Sequence, residues 1–202
     1  MPEGHAEKRR NEILDACSTL YRNSSFHDVT MKDISAYTSM SRPSIYNYFR
    51  TAEEIFLGLL EREYVRWEED LDIIYEKERL NREELADALS KSLEERTTLL
   101  RIQATNLHEI EDNSRLERLT EFKRTLCGVF SLMDEILQKF IPGMTEEERT
   151  SFRVSFFAFL SGVYPYTDST EKQQRAMEEA GIPFRKYSIY EIVYPCLRKL
   201  LS

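Results

Sequence analysis

Two capping signatures frame the stretch that most constrains this chain. Thr30-Met31-Lys32-Asp33 and Thr51-Ala52-Glu53-Glu54 each place a hydroxyl three residues ahead of an acid. The hydroxyl can accept a first-turn N–H while the acid reaches back, so each pair marks a helix start. Between them, Ser41-Arg42-Pro43 reads as an N-cap followed by a proline in the first turn, where its missing N–H would be unpaired anyway. Residues 30–60 therefore predict a short helix, a tight turn, a second short helix, and a long helix through Ile55, Leu59, Leu60 and Tyr64 toward Tyr75. That is the layout of a helix-turn-helix reader of DNA, whose second helix lies in the major groove.

The same punctuation continues along the chain. Asn81 with Glu84, Thr145 with Glu148, and Ser188 with Glu191 each stand just ahead of an apolar run of helical period. Before residue 30, Ile13, Cys17, Leu20 and Tyr21 share one face of a first helix, which should end near Asn23-Ser24-Ser25. Pro142-Gly143 is a clear turn between helices. Six glycines and six prolines in 202 residues disfavour a loop-rich β architecture. The expectation is an all-α protein of about nine helices. Its three-helix head would occupy residues 1–50 and its helical body residues 51–202, coupled through the helix that begins at Thr51.

A net charge of −8 argues at first against nucleic acid. Its distribution is more informative. Residues 1–52 hold seven Lys/Arg (Lys8, Arg9, Arg10, Arg22, Lys32, Arg42, Arg50) and six Asp/Glu, a net of +1, which leaves −9 for the rest. A near-neutral head on an acidic body lets one face approach phosphate while the remainder is repelled. Lys8, Arg9 and Arg10 fit either a phosphate-touching arm or a solvated helix start. Three widely spaced cysteines fit a reducing cytosol better than a disulfide framework, which points to a cytoplasmic protein. No apolar run is long enough for a membrane span, and the N-terminus lacks a signal-peptide core.

A groove-reading unit needs a small core and a polar outer face. Ile34, Ile45 and Phe49, with Leu20 and Phe26, can supply the core. Thr30, Lys32, Ser41, Arg42, Pro43, Ser44, Tyr46, Asn47, Tyr48 and Arg50 are the candidate DNA-contacting residues. Asn47 can pair with adenine through two hydrogen bonds, and Arg42 can reach guanine or phosphate. Tyrosine hydroxyls favour phosphate, which positions without reading sequence. One of Tyr46 and Tyr48 is expected to be partly core while the other faces phosphate.

From Ile13 to about Leu60 the chain resembles the tetracycline-repressor (TetR) family of transcriptional regulators. The resemblance is carried by Phe26, Thr30, Asp33-Ile34, Ser41, Ile45-Tyr46, Tyr48-Phe49 and Glu53-Glu54-Ile55. It implies an all-α homodimer with an N-terminal DNA-binding domain and a C-terminal domain for effector binding and dimerisation. The implied function is a repressor released from a palindromic operator by a small-molecule effector. Three positions depart from the family pattern: Thr38-Ser39 stands for Ala-Gly in the turn, Pro43 for Gly, and Ala52 for a phosphate-contacting Lys, a role Arg50 would take over. The stretch from Tyr164 to Leu201 is similar, more loosely, to the end of one TetR-like C-terminal subgroup.

In the body, Trp67, His108, Phe122, Leu126, Phe130 and Phe156 are candidates for an apolar effector pocket with few polar anchors. His108 reads more readily as a satisfied core or surface imidazole than as a ligand contact. Residues 152–166 are apolar on more than one face, which suits a helix buried all round. Phe152, Phe156, Phe159, Leu160 and Val163, with Ile189, Ile192, Val193 and Leu197 of the last helix, are therefore the candidate dimer interface. Catalytic signatures are lacking: there is no HExxH, Cys-x-x-Cys, GxSxG or phosphate-cradling glycine loop. Scattered histidines and cysteines give no metal spacing, and no cofactor is expected. The alternative reading is a dimeric helical small-molecule-binding or interaction protein without DNA binding.

Overall fold

The computed structural model describes residues 3–183 and 185–202. The first two residues of the expected head lie outside that range. Among the described residues the chain is all-α, with twelve α-helices and no strand, against about nine expected. The surplus has a local cause. The breaks after Glu94 and Thr105 carry neither proline nor glycine, so the apolar pattern runs through them unmarked. Two compact units form, one from residues up to Tyr64 with Asn106–Leu126, the other from Val65–Thr105 with Cys127–Ser202.

The first unit holds α1 (Glu3–Tyr21), a 3-10 turn (Phe26–Asp28), α2 (Met31–Ala36), α3 (Arg42–Ile45), the first half of α4 (Ala52–Tyr75), α7 (Leu107–Asp112) and the start of α8 (Leu116–Phe140). Ile13, Cys17, Ile34, Ile45, Phe49, Ile55 and Phe56 are fully buried in its core. Each isoleucine or phenylalanine among them contributes about 1.5–3 kcal/mol of apolar transfer free energy. The Phe56 ring takes the edge of Tyr21 at 5.0 Å and of Phe26 at 4.7 Å. Leu20, expected in this core, is only half-buried. Gly58 lets α4 pass close by, since a Cβ there would sit 3.2 Å from both Leu14 Cδ2 and Phe49 Cε1.

The second unit holds α5 (Arg82–Glu94), α6 (Thr97–Thr105), α9 (Glu146–Leu160), α10 (Tyr164–Thr167), α11 (Glu171–Glu179) and α12 (Ile189–Leu200), with the remainders of α4 and α8. Its core centres on Trp67, Leu89, Leu93, Leu100, Met133, Phe156, Leu160, Val193 and Leu197. The Trp67 indole N–H donates to Ser92 Oγ at 2.9 Å, so the one polar atom of that side chain is satisfied. Tyr190 and Tyr194 stack at 5.1 Å and donate to Asp87 and Glu83 of α5. The Asp87 bond pushes the Tyr190 phenol up to about 12. Capping boxes form at Asn81, Thr145 and Ser188 as expected, and a further one at Thr170 opens α11. Gly181, at φ +69°, closes α11 with its neighbour Ile182 donating to the Met177 carbonyl at 2.9 Å. No described helix is long and apolar enough to cross a membrane.

Candidate nucleic-acid interface

The capping box at Thr30 opens α2: Asp33 N–H donates to Thr30 Oγ1 at 3.3 Å, and Thr30 N–H donates to the Asp33 carboxylate at 3.0 Å. The Thr30 hydroxyl, which also donates to that carboxylate, and then the Thr30 N–H hold the Asp33 carboxyl below its usual range. Ser41 caps α3, accepting the Ser44 N–H at 3.4 Å, with Pro43 in the first turn. The regular α-helix is shorter than the Ser41–Phe49 rod the sequence suggests. It covers Arg42–Ile45, and then Asn47 N–H bonds Ser44 O at 3.3 Å, a tighter three-residue spacing. Turns carry the chain to Phe49, whose N–H reaches Ile45 O at 3.1 Å.

This unit divides cleanly into two sides. Ile34, Ile45 and Phe49 are fully buried. Thr30, Lys32, Ser41, Arg42, Pro43, Tyr46, Asn47 and Arg50 are exposed, while Ser44 and Tyr48 are half-buried. Of the two tyrosines, Tyr46 is therefore the outward one. Arg42 Nη2 donates to its hydroxyl at 3.2 Å and lies over its ring. Tyr37, the C-cap of α2, is 61% exposed beside the turn and escaped the sequence reading.

The unusual turn is held from α1. The Ser39 N–H donates to Glu12 Oε1 at 2.5 Å, and Arg9 Nη1 donates both to Ser39 Oγ at 2.6 Å and to Glu12 Oε2 at 3.0 Å. The Ser39 backbone bond is the main cause that lowers the Glu12 carboxyl. Thr38 Oγ1 donates toward Ser35 O and accepts the Met40 N–H at 3.3 Å. No described non-glycine residue has positive φ. The turn thus dispenses with glycine, because side chains satisfy its backbone.

Behind the reading turn stand two arginines of the 106–126 segment. The expected box at Thr51 is half made: Thr51 Oγ1 accepts the Glu54 N–H at 3.2 Å, but the Glu54 carboxylate turns away. It accepts the Arg50 N–H at 2.8 Å and, from Arg115, the backbone N–H at 3.2 Å and the guanidinium. Burial alone would raise this carboxyl; these bonds overrule it and hold it near 2. Arg118 Nη2 donates to the Tyr48 carbonyl at 3.3 Å. The Phe49 ring lies under two guanidiniums, those of Arg10 at 5.4 Å and Arg118 at 5.9 Å.

The candidate effector residues fall into both units. His108 is exposed, and Phe122 packs on Tyr64 at 5.9 Å, with Leu126 half-buried in the same unit. In the other unit Trp67, Phe130 and Phe156 converge on the Phe157 ring, at 5.7, 4.6 and 6.0 Å. Of the candidate dimer residues, Phe152, Phe156, Leu160, Val163, Ile189, Val193 and Leu197 are buried in their own unit. Phe159 and Ile192 instead open onto a shallow apolar groove with Ala158, Tyr166, Tyr187 and Pro195.

Residues 13–59 match the profile of bacterial regulatory proteins of the tetR family, and residues 61–189 that of the tetracyclin repressor-like C-terminal domain. Over 57 residues the chain is 39% identical to an uncharacterized HTH-type transcriptional regulator, YfiR, of Bacillus subtilis (strain 168), a match spanning 28% of each chain. Its fold is similar to that of the fatty acid degradation regulator FadR from Bacillus halodurans, with TM-score 0.63 and 21% identity over 95% of this chain and 97% of that one. A TetR/AcrR-family transcriptional regulator from Thermobifida fusca YX-ER1 is similar at TM-score 0.64 and 19% identity, over 96% and 97%. The transcriptional regulator FadR from Bacillus subtilis, solved in complex with stearoyl-CoA, is similar at TM-score 0.59 and 17% identity, over 94% and 96%.

Proposed function

The chain belongs to the tetracycline-repressor family of bacterial transcriptional regulators, and on that premise we propose that it is a homodimeric repressor released from a palindromic operator by an apolar effector. One observation carries the reading: Arg42, Pro43, Tyr46 and Asn47 stand exposed on a turn-and-helix unit whose opposite side, Ile34, Ile45 and Phe49, is fully buried. In a two-fold dimer, two such units enter successive major grooves about 34 Å apart. Asn47 and Arg42 read base edges, while Thr30, Lys32, Tyr46 and Arg50 take phosphate.

Release by effector requires that the effector favour a state unfit for DNA, and that DNA weaken effector binding equally. Arg115 and Arg118 support such a coupling, because each ties a residue flanking the reading turn to the 106–126 segment. Helices α4 and α8 each contribute residues to both units. A long acyl chain is the effector chemistry to test first. The aromatic interior around Trp67, Phe130, Phe156 and Phe157 suits it, and a protein of similar fold was solved with stearoyl-CoA.

The dimer face is drawn from what remains open on α9 and α12. Phe159 and Ile192 line the groove there, and Tyr166 and Tyr187 extend it toward Met177 and Ile182. Helices α10 and α11 bury no residue in their own chain, and Tyr166 and Ile182 are 67% and 55% exposed. Contiguous apolar surface of this kind marks an interface.

A gel shift on the intergenic DNA beside the gene tests the reading. Retardation that survives competitor DNA and weakens steeply with salt supports it. A dimer that shifts no DNA even at low salt is instead a helical small-molecule-binding protein, the reading its net charge of −8 favours.

A further inference from the structure

The middle of α1 lies against the reading turn through Arg9 and Glu12, and the charges around that contact are sorted. At helical spacing His5, Lys8, Arg9 and Glu12 share one stripe, while Glu7 falls on the far side. Arg9 and Glu12 fix the direction of that stripe, since both bond Ser39, two residues before the α3 N-cap. Glu12 would ordinarily pair with Lys8 one turn back. Here its two oxygens are spent on the Ser39 N–H and on Arg9. Lys8 is left exposed with no ion-pair partner among the described residues, whereas Arg9 and Arg10 are both paired.

The stripe therefore carries uncompensated positive charge beside the start of α3. In a helix-turn-helix complex the protein around the reading helix abuts phosphates, and those contacts set register without reading sequence. We infer that this stripe is a second phosphate-binding element, with Lys8 as its contacting cation and Arg9 as the link that ties it to the turn. The inference rests on the DNA-reading assignment of α3. It adds an affinity element outside the helix-turn-helix.

Phosphate contacts act on any sequence, so the test needs no known operator. The full-length chain is titrated with a random-sequence duplex of about 30 base pairs across a range of salt, which isolates the electrostatic part of binding. Lys8→Gln should lower the slope of log K against log salt by about 0.9 per subunit. Lys199→Gln, an exposed lysine of the other unit, should leave it unchanged. A Lys8→Gln slope equal to the wild type, where Arg50→Gln does lower it, overturns the inference and leaves the reading helix standing. A wild-type chain with no salt-dependent binding overturns both.

Discussion

Glu54 and Arg115 meet as a two-point ion pair, Oε1 to Nε at 2.5 Å and Oε2 to Nη2 at 2.9 Å, across sixty-one positions of sequence. Glu54 is 1% exposed. Removing the guanidinium would strand a buried carboxylate, whereas removing the charge on Glu54 would leave an arginine with access to water. Arg115→Met should therefore destabilise the first unit by about 3 kcal/mol, the low end for a broken buried pair because a third of Arg115 is exposed. Glu54→Gln should cost less. The pair also sets an acid limb. Glu54 is held near 2, below its ordinary 4.5, so its contribution is full above 4.5 and fades as pH falls toward 2. Denaturant midpoints across that window should fall less steeply in Arg115→Met than in the wild type; equal slopes would remove Glu54 from the account.

What was readable in advance followed from distance along the chain. The boxes at Thr30, Asn81, Thr145 and Ser188 use partners three residues apart, and all form. The box at Thr51 forms by half, because the acid was claimed by an arginine no local pattern could name. Ser39 looked like a defect for want of glycine, and its remedy, Glu12, sits 27 residues back. The outward residues of α3 were legible, since amphipathic spacing places them. The apolar residues of α9 and α12 were not sorted by sequence, because an apolar stripe facing its own core and one facing a partner share the same letters. Exposure separates them, leaving Phe159 and Ile192 open.

Asn47 is exposed on the reading unit with a side chain that matches adenine. Asn47→Ala should cost about 1–3 kcal/mol at one A·T position and relax the preference there. Tyr46→Phe, at the outward tyrosine, should instead weaken binding to every sequence alike. Binding measured on an operator and its single-base variants separates the two patterns, and a uniform loss from Asn47→Ala would reassign that residue to phosphate.

Glu12 should act as a positioning residue for the turn. Its carboxylate accepts the Ser39 N–H, and that bond keeps the carboxyl below its ordinary value. The restraint is therefore present at neutral pH and lost as pH falls through the carboxylate range. In Glu12→Gln, amide exchange at Ser39 should speed up at pH 7, with exchange at Ile34 unchanged. If Ser39 stays as protected as before, the turn is held by Thr38 and not from α1.

The proposed dimer face on α9 and α12 is one that can be broken without unfolding the chain. Leu160 and Val193 are fully buried within one subunit, so charge placed there would unfold it. Phe159 and Ile192 are half-buried and open onto the groove, so Ile192→Glu can keep its charge in water in a single chain. At a two-fold interface each substitution appears twice and faces its own copy. Ile192→Glu should leave the melting transition cooperative and its helix content unchanged, while light scattering falls from two chains to one at micromolar concentration. Operator affinity should fall with it, because two half-sites are then bound by unlinked readers. A variant that remains dimeric would move the interface off this groove.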